Sequence, residues 1–167
     1  IRLGYAADWA GSQGYELLSK GTYQRAFPNS MHVPEDIKDW SEYVRACMRK
    51  CRKDVTRWLV WSSPNSGPPL EVDPAKLAAM LAAAGRWQQL YCPESKIYLG
   101  GVLQKRGLDY LSNVQQAKGG NSFYGIEWKV DMGGLPPERG GLDEVMDDLK
   151  TLLGPERSGP DRIIVTG

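Results

Sequence analysis

PEDIKDWSEYVRACMRKCRKDVTRWLVWSSPN, residues 34–65, changes its period part-way along. Up to residue 51, Ile37, Trp40, Tyr43, Val44, Cys47, Met48 and Cys51 recur every three or four positions, so they share one face of a helix of about four turns. Pro34, Glu35 and Asp36 suit the start of that helix, because proline and negative charge favour the first turn. Arg49, Lys50, Arg52 and Lys53 suit its C-terminal end, and they read as a solvated face rather than a nucleic-acid contact. From residue 57 the pattern becomes Arg-Trp-Leu-Val-Trp, a strand in length and composition. It stops at a polar turn, Ser62-Ser63-Pro64-Asn65.

The same alternation continues on either side. A second helix is predicted over 73–90, with Asp73 as N-cap, Pro74 at the first position and Leu77, Leu81 and Ala84 facing inward. A third spans 108–117 through Leu108, Leu111 and Val114, and "LDEVMDDLKTLL" makes a fourth that ends at Gly154 and Pro155. Strands are predicted at "IRLGYA" at the start, "RWLVW" at 57–61, "KIYLGG" at 96–101, "FYGIEW" at 123–128 and "RIIVT" at 162–166. Short apolar strands separated by helices of this size imply right-handed crossovers and a parallel sheet, so the class is α/β. Two architectures fit: a partial, TIM-barrel-like (β/α) barrel, or a doubly wound open sheet. "GSQG" at 11–14 is neither a dinucleotide fingerprint nor a P-loop, so nothing calls for a nucleotide cofactor.

Composition narrows the function classes. With 167 residues, 41% apolar and 25% charged, the chain has the make-up of one globular domain. Its net charge of +1 gives no general electrostatic case for nucleic acid or a membrane surface. No run approaches the roughly 18 apolar residues of a membrane span. Cys47, Cys51 and Cys92 read as buried free thiols, and with His32 the one histidine, no metal site is expected.

Chemistry in parallel α/β sheets gathers at the C-terminal strand ends. There the sequence places Asp8 and Trp9 after the first strand, and Trp61, Ser62, Ser63 and Asn65 after the second. Gly100 and Gly101 follow the third, and Glu127, Trp128, Lys129 and Asp131 the fourth. Indole faces among scattered polar groups suit a sugar cleft, and tryptophans at strand ends also cap cores; both readings stand.

In segment order the chain resembles the clan A superfamily of glycoside hydrolases, (β/α)8 barrels that cleave polysaccharides with retention. "LGYAADWAG" is similar to that family's third strand, and residues 34–65 to its passage into Trp-x-Val-Trp-Asn-Glu-Pro-Asn. "FYGIEW" and "DRIIVTG" fall where strands six and seven belong. The likeness covers strands three to seven, which implies a fragment of a longer barrel, or a homo-oligomer or additional chain that completes it. It also leans towards an extracytoplasmic setting.

The resemblance places Trp61, Pro64 and Asn65 on the family's motif, with Ser62 at its asparagine and Ser63 at its acid/base glutamate. A serine hydroxyl does not protonate a leaving group near neutral pH as a carboxyl tuned to about 6 does. Retaining chemistry also needs a second carboxylate about 5 Å away, and Gly167 stands where the family's nucleophile would follow "IIVT". No intact catalytic pair is expected, and Asp8, Glu127 and Asp131 remain as substitute carboxylates. The resemblance therefore implies a carbohydrate-binding pseudoenzyme. Trp9, Trp61 and Trp128 are expected to stack on the sugar, and Ser62, Ser63 and Asn65 to bond its hydroxyls. The alternatives are a glycosidase working through other carboxylates and a structural scaffold.

Overall fold

The computed structural model describes residues 2–3, 33–53, 55–67, 71–104, 106–130, 142–159 and 161–166. Strands and helices alternate as β1 (Arg2–Leu3), α1 (Ile37–Cys51), β2 (Arg57–Val60), α2 (Pro74–Tyr91), β3 (Lys96–Leu103), α3 (Gly107–Gln116), β4 (Gly125–Lys129), α4 (Leu142–Leu153) and β5 (Ile163–Thr166). A short 3-10 turn, Pro155–Arg157, leads out of α4. All strand pairings are parallel, and the order in the sheet is β1-β2-β3-β4-β5. The fold class is α/β, as the alternation of periods implied. Among the described residues each strand lies beside its predecessor, an order consistent with a partial barrel and with part of a doubly wound sheet. Right-handed crossovers advancing in one direction keep successive helices on one face, as in a segment of a barrel.

Local chemistry explains the element ends. The Asp36 carboxylate caps α1 by accepting from the Lys38 N–H at 2.8 Å, and Pro34 stands ahead of the helix rather than in its first turn. In α2 the Asp73 carboxylate accepts from the Lys76 N–H at 3.0 Å, and Pro74 occupies the first position. β3 runs two residues past its predicted end because a bulge between Leu99 and Val102 absorbs Gly100 and Gly101 and pairing resumes at Val102 with Trp128.

The sheet has two chemically different faces. Trp58, Val60, Ile97, Leu99, Val102, Ile126 and Trp128 join the helices in one buried core. Trp40, Tyr43, Val44, Cys47 and Met48 supply its α1 side, and each fully buried large side chain is worth roughly 1.5–3 kcal/mol. Two indoles in this layer also bond, Trp40 Nε1 donating to Met80 O at 3.0 Å and Trp58 Nε1 to Ser95 Oγ at 3.1 Å, while the buried Trp128 Nε1 has no partner among the described residues. Burial pushes the Cys47 thiol up to about 12, as befits a thiol acting as a small hydrophobe.

Strand alternation sends Leu59, Tyr98, Glu127 and Ile164 to the opposite face. At its N-terminal end Tyr98 and Tyr124 meet edge to face, with centroids 5.7 Å apart. Tyr98 donates to Asp161 O at 2.8 Å, and Tyr124 donates to the Asp161 carboxylate. The Arg162 guanidinium lies 3.7 Å from the Tyr124 ring centre. That layer ties the start of β5 to β3 and β4.

Candidate functional site

At the opposite, C-terminal end, β2 leaves the sheet through strained backbone. Trp61 and Ser63 both have positive φ, 67° and 54°, a conformation that costs a residue with a Cβ of order 1–3 kcal/mol. The first of these reverses strand alternation. Val60 faces the helices, so an extended Trp61 would face away; with positive φ its indole returns to the helix layer and meets Trp40 edge-on at 6.2 Å.

Beyond this kink the loop is tied to its neighbour. Asn65 Nδ2 donates to Leu103 O and Asn65 Oδ1 accepts from the Leu103 N–H, both at 2.8 Å. Backbone bonds from Ser66 N to Ser63 O and from Val72 N to Pro64 O close the turn. The Ser63 hydroxyl is thereby presented over the end of β3.

The glycine bulge makes room for this approach. A Cβ on Gly100 would lie 2.3 Å from Trp61 O. One on Gly101, whose φ is +59°, would lie 2.9 Å from Ser63 N, 3.1 Å from Lys129 Cε and 3.4 Å from Glu127 Oε2. Polar groups from the loop after β2 and from β4 therefore converge on one bare patch of backbone. Lys129 Nζ donates to Ser63 Oγ at 3.1 Å, and Thr166 Oγ1 donates weakly to Glu127 Oε1 at 3.5 Å. Glu127 is 4% exposed and is the one buried carboxylate among the described residues. The cluster brings the Lys129 amine and two hydroxyls together beside a buried carboxyl group, a set of hydrogen-bond donors and acceptors at one end of the sheet.

Beside the cluster, on the helix side of the same sheet end, a cavity of about 570 Å³ opens between the β2–α2 loop and α3. Asn65, Glu71, Arg106, Asp109 and Asn113 give it a polar lining, and Tyr110 closes its floor by donating to Val72 O at 2.6 Å. Arg106, just ahead of α3, is the third non-glycine residue with positive φ, so all such residues among those described lie at this end.

The expected site residues divide accordingly. Ser63 and Glu127 come together, while Ser62 lies half-buried beside them and Asn65 serves as the clamp, its amide committed to Leu103. Trp61 and Trp128 correct the expectation of stacking surfaces: at 1% and 0% exposure they present no free face, because both belong to the helix-side core. Trp128 packs so tightly that a Cβ on Gly107 would lie 2.5 Å from its ring. Asp8, Trp9 and Asp131 lie outside the described residues. Lys129 and Thr166 are members that the sequence reading did not assign. Lys129 shares Glu127's face two residues on, and Thr166 is its partner in the β4–β5 register.

Among the described residues no three histidine, cysteine, aspartate or glutamate side chains converge as a metal site would require. No described helix is long and apolar enough to cross a membrane. No protein-family model matches the chain, and neither does any curated protein or solved structure.

Proposed function

We propose that the C-terminal end of the sheet binds a carbohydrate without hydrolysing it. The observation that carries the reading is the Lys129 Nζ to Ser63 Oγ bond, which puts an ammonium and an alcohol at the motif position where a glycoside hydrolase needs a proton-donating carboxyl. Sugar hydroxyls both donate and accept. They match a surface where Lys129 donates and Ser63 and Thr166 do either, next to the buried Glu127 carboxyl group. Charged partners make such bonds stronger than neutral ones. Recognition then rests on polar contacts, since Trp61 and Trp128 are committed to the core.

The resemblance to clan A hydrolases supports the same place and the same ligand class, and the Ser63 substitution supports the loss of chemistry. A second reading, a hydrolase using carboxylates at other positions, draws on the burial of Glu127 inside the cluster. Calorimetric titration with neutral oligosaccharides, followed by chromatography of the mixture, separates the two. Binding that weakens in Lys129→Met with the sugar recovered intact is the expected result. Cleavage that disappears in Glu127→Gln establishes the second reading, and absence of both binding and cleavage removes the proposal.

A further inference from the structure

We propose that the N-terminal end of the sheet carries a second, separate binding surface: a basic track for an acidic polysaccharide. Three hollows lie end to end there. The largest, about 580 Å³, runs between α2 and the approach to β4 and is flanked by Arg86 and Lys96. It shares Pro93 and Ser95 with a hollow of about 240 Å³, which shares Arg52 and Lys53 with a third of about 520 Å³ that also includes Arg49 and Lys50. Among the described residues that line this course six carry cationic side chains and one, Glu94, a carboxylate. In a chain whose net charge is only +1, this concentration leaves the remainder acidic. Such segregation creates a local positive field that a near-neutral total conceals.

The shape and lining select among polyanions. A continuous open track suits a linear chain rather than a compact ion. Single-stranded nucleic acid draws much of its affinity from bases stacked on free aromatic faces. Here the rings are already engaged: Tyr124 by Arg162 at 3.7 Å and Lys96 at 5.1 Å, Phe123 by Arg157 at 5.4 Å, and Tyr91 by the Trp87 ring stacked at 5.9 Å. A membrane surface wants a cluster of apolar side chains to insert, whereas Leu90 is the one strongly exposed large hydrophobe near the track. Carboxylated or sulfated sugars need only cations spaced along a polar groove, with groups such as Gln89 and Ser122 available to their hydroxyls. This surface is at the opposite end of the strands from Ser63, Glu127 and Lys129, so it stands or falls independently of the reading above.

The test is binding of an oligogalacturonate to the intact chain, measured by calorimetry at low and physiological salt. A neutral oligosaccharide of equal length, a single-stranded oligonucleotide of equal charge and phosphatidylserine vesicles serve as comparisons. The expected result is salt-sensitive binding of the oligogalacturonate, about tenfold weaker in the triple variant Arg52→Gln, Lys53→Gln, Arg86→Gln and unchanged in Lys129→Met. All three substituted positions are exposed, so the fold is not at stake. On the unaltered chain, acetylation mapped by mass spectrometry should show Lys50, Lys53 and Lys96 protected by the oligogalacturonate while Lys38 and Lys76 react as before. Equal binding by the triple variant, absence of protection, or tighter binding of the oligonucleotide or vesicles overturns the proposal.

Discussion

Lys129 Nζ and Ser63 Oγ meet at 3.1 Å across the end of β3, joining the last residue of β4 to the loop that follows β2. The contact exists because Gly101 leaves no side chain between them. The pair is coupled, so its two members should act as one unit on binding. Lys129→Met is expected to weaken carbohydrate affinity about tenfold, and Ser63→Ala by less, since a charge-assisted bond outweighs a neutral one. The double variant should bind little worse than Lys129→Met alone. Titration calorimetry on the three variants, with thermal melts to confirm folding, is the check; strictly additive losses would mean the two groups act separately.

Gly101 combines positive φ with a close backbone neighbour, and the two contributions are separable. Gly101→Ala should cost about 1–3 kcal/mol and open the cluster, because Ser63 N stands 2.9 Å from the new Cβ. Gly154 also has positive φ, +75°, but nothing lies within 4 Å of its Cβ position. Gly154→Ala should therefore lose the smaller, purely conformational amount. Urea denaturation of both variants measures the difference, which equal losses would contradict.

Asn65 holds Leu103 by both backbone groups. Asn65→Ala should cost about 2 kcal/mol, two part-buried hydrogen bonds at roughly 1 kcal/mol each. Amide exchange at Leu103 should quicken in this variant. Had Asn65 served the ligand instead, the substitution would lower affinity and leave that amide protected.

The Tyr124–Asp161 bond should make stability respond to pH at both extremes. The Tyr124 hydroxyl beside it holds the Asp161 carboxyl below its ordinary value of 3.8, so its contribution is present above that value and is lost as pH falls through the lowered one. The bond to Asp161, with some desolvation, holds the Tyr124 hydroxyl above its ordinary 10.0, so its contribution is present below 10.0 and disappears as pH rises through the raised value. Thermal midpoints of the wild type and Tyr124→Phe should differ across the intervening window and converge in strong acid and strong base. A constant difference at every pH would assign the effect to packing.

Much of the fold was legible because burial leaves a periodic trace. The α1 stripe from Ile37 to Cys51, the Asp73 and Pro74 start of α2 and the four later β-rich runs sit where period and capping place them, while most of the first run lies outside the described residues. Strand order was not legible, since the same alternation of helix and strand suits a sequential sheet and one that reverses. The site was legible in part. Ser63 and Glu127 lie at strand ends and could be named, whereas their meeting with Lys129 depends on a bulge whose effect is felt three strands across.

The tryptophans mark the boundary most clearly. Sequence alone determined that Trp61 and Trp128 belong at strand ends, because composition and alternation govern where a strand begins and stops. Only the tertiary structure decided that both are core: the positive φ of Trp61 turns its ring onto Trp40, and Gly107 leaves space for the ring of Trp128. Alternation fixes which residues share a face and fails at a kink such as the one at Trp61, so which side an indole joins is settled by the backbone and neighbours that receive it.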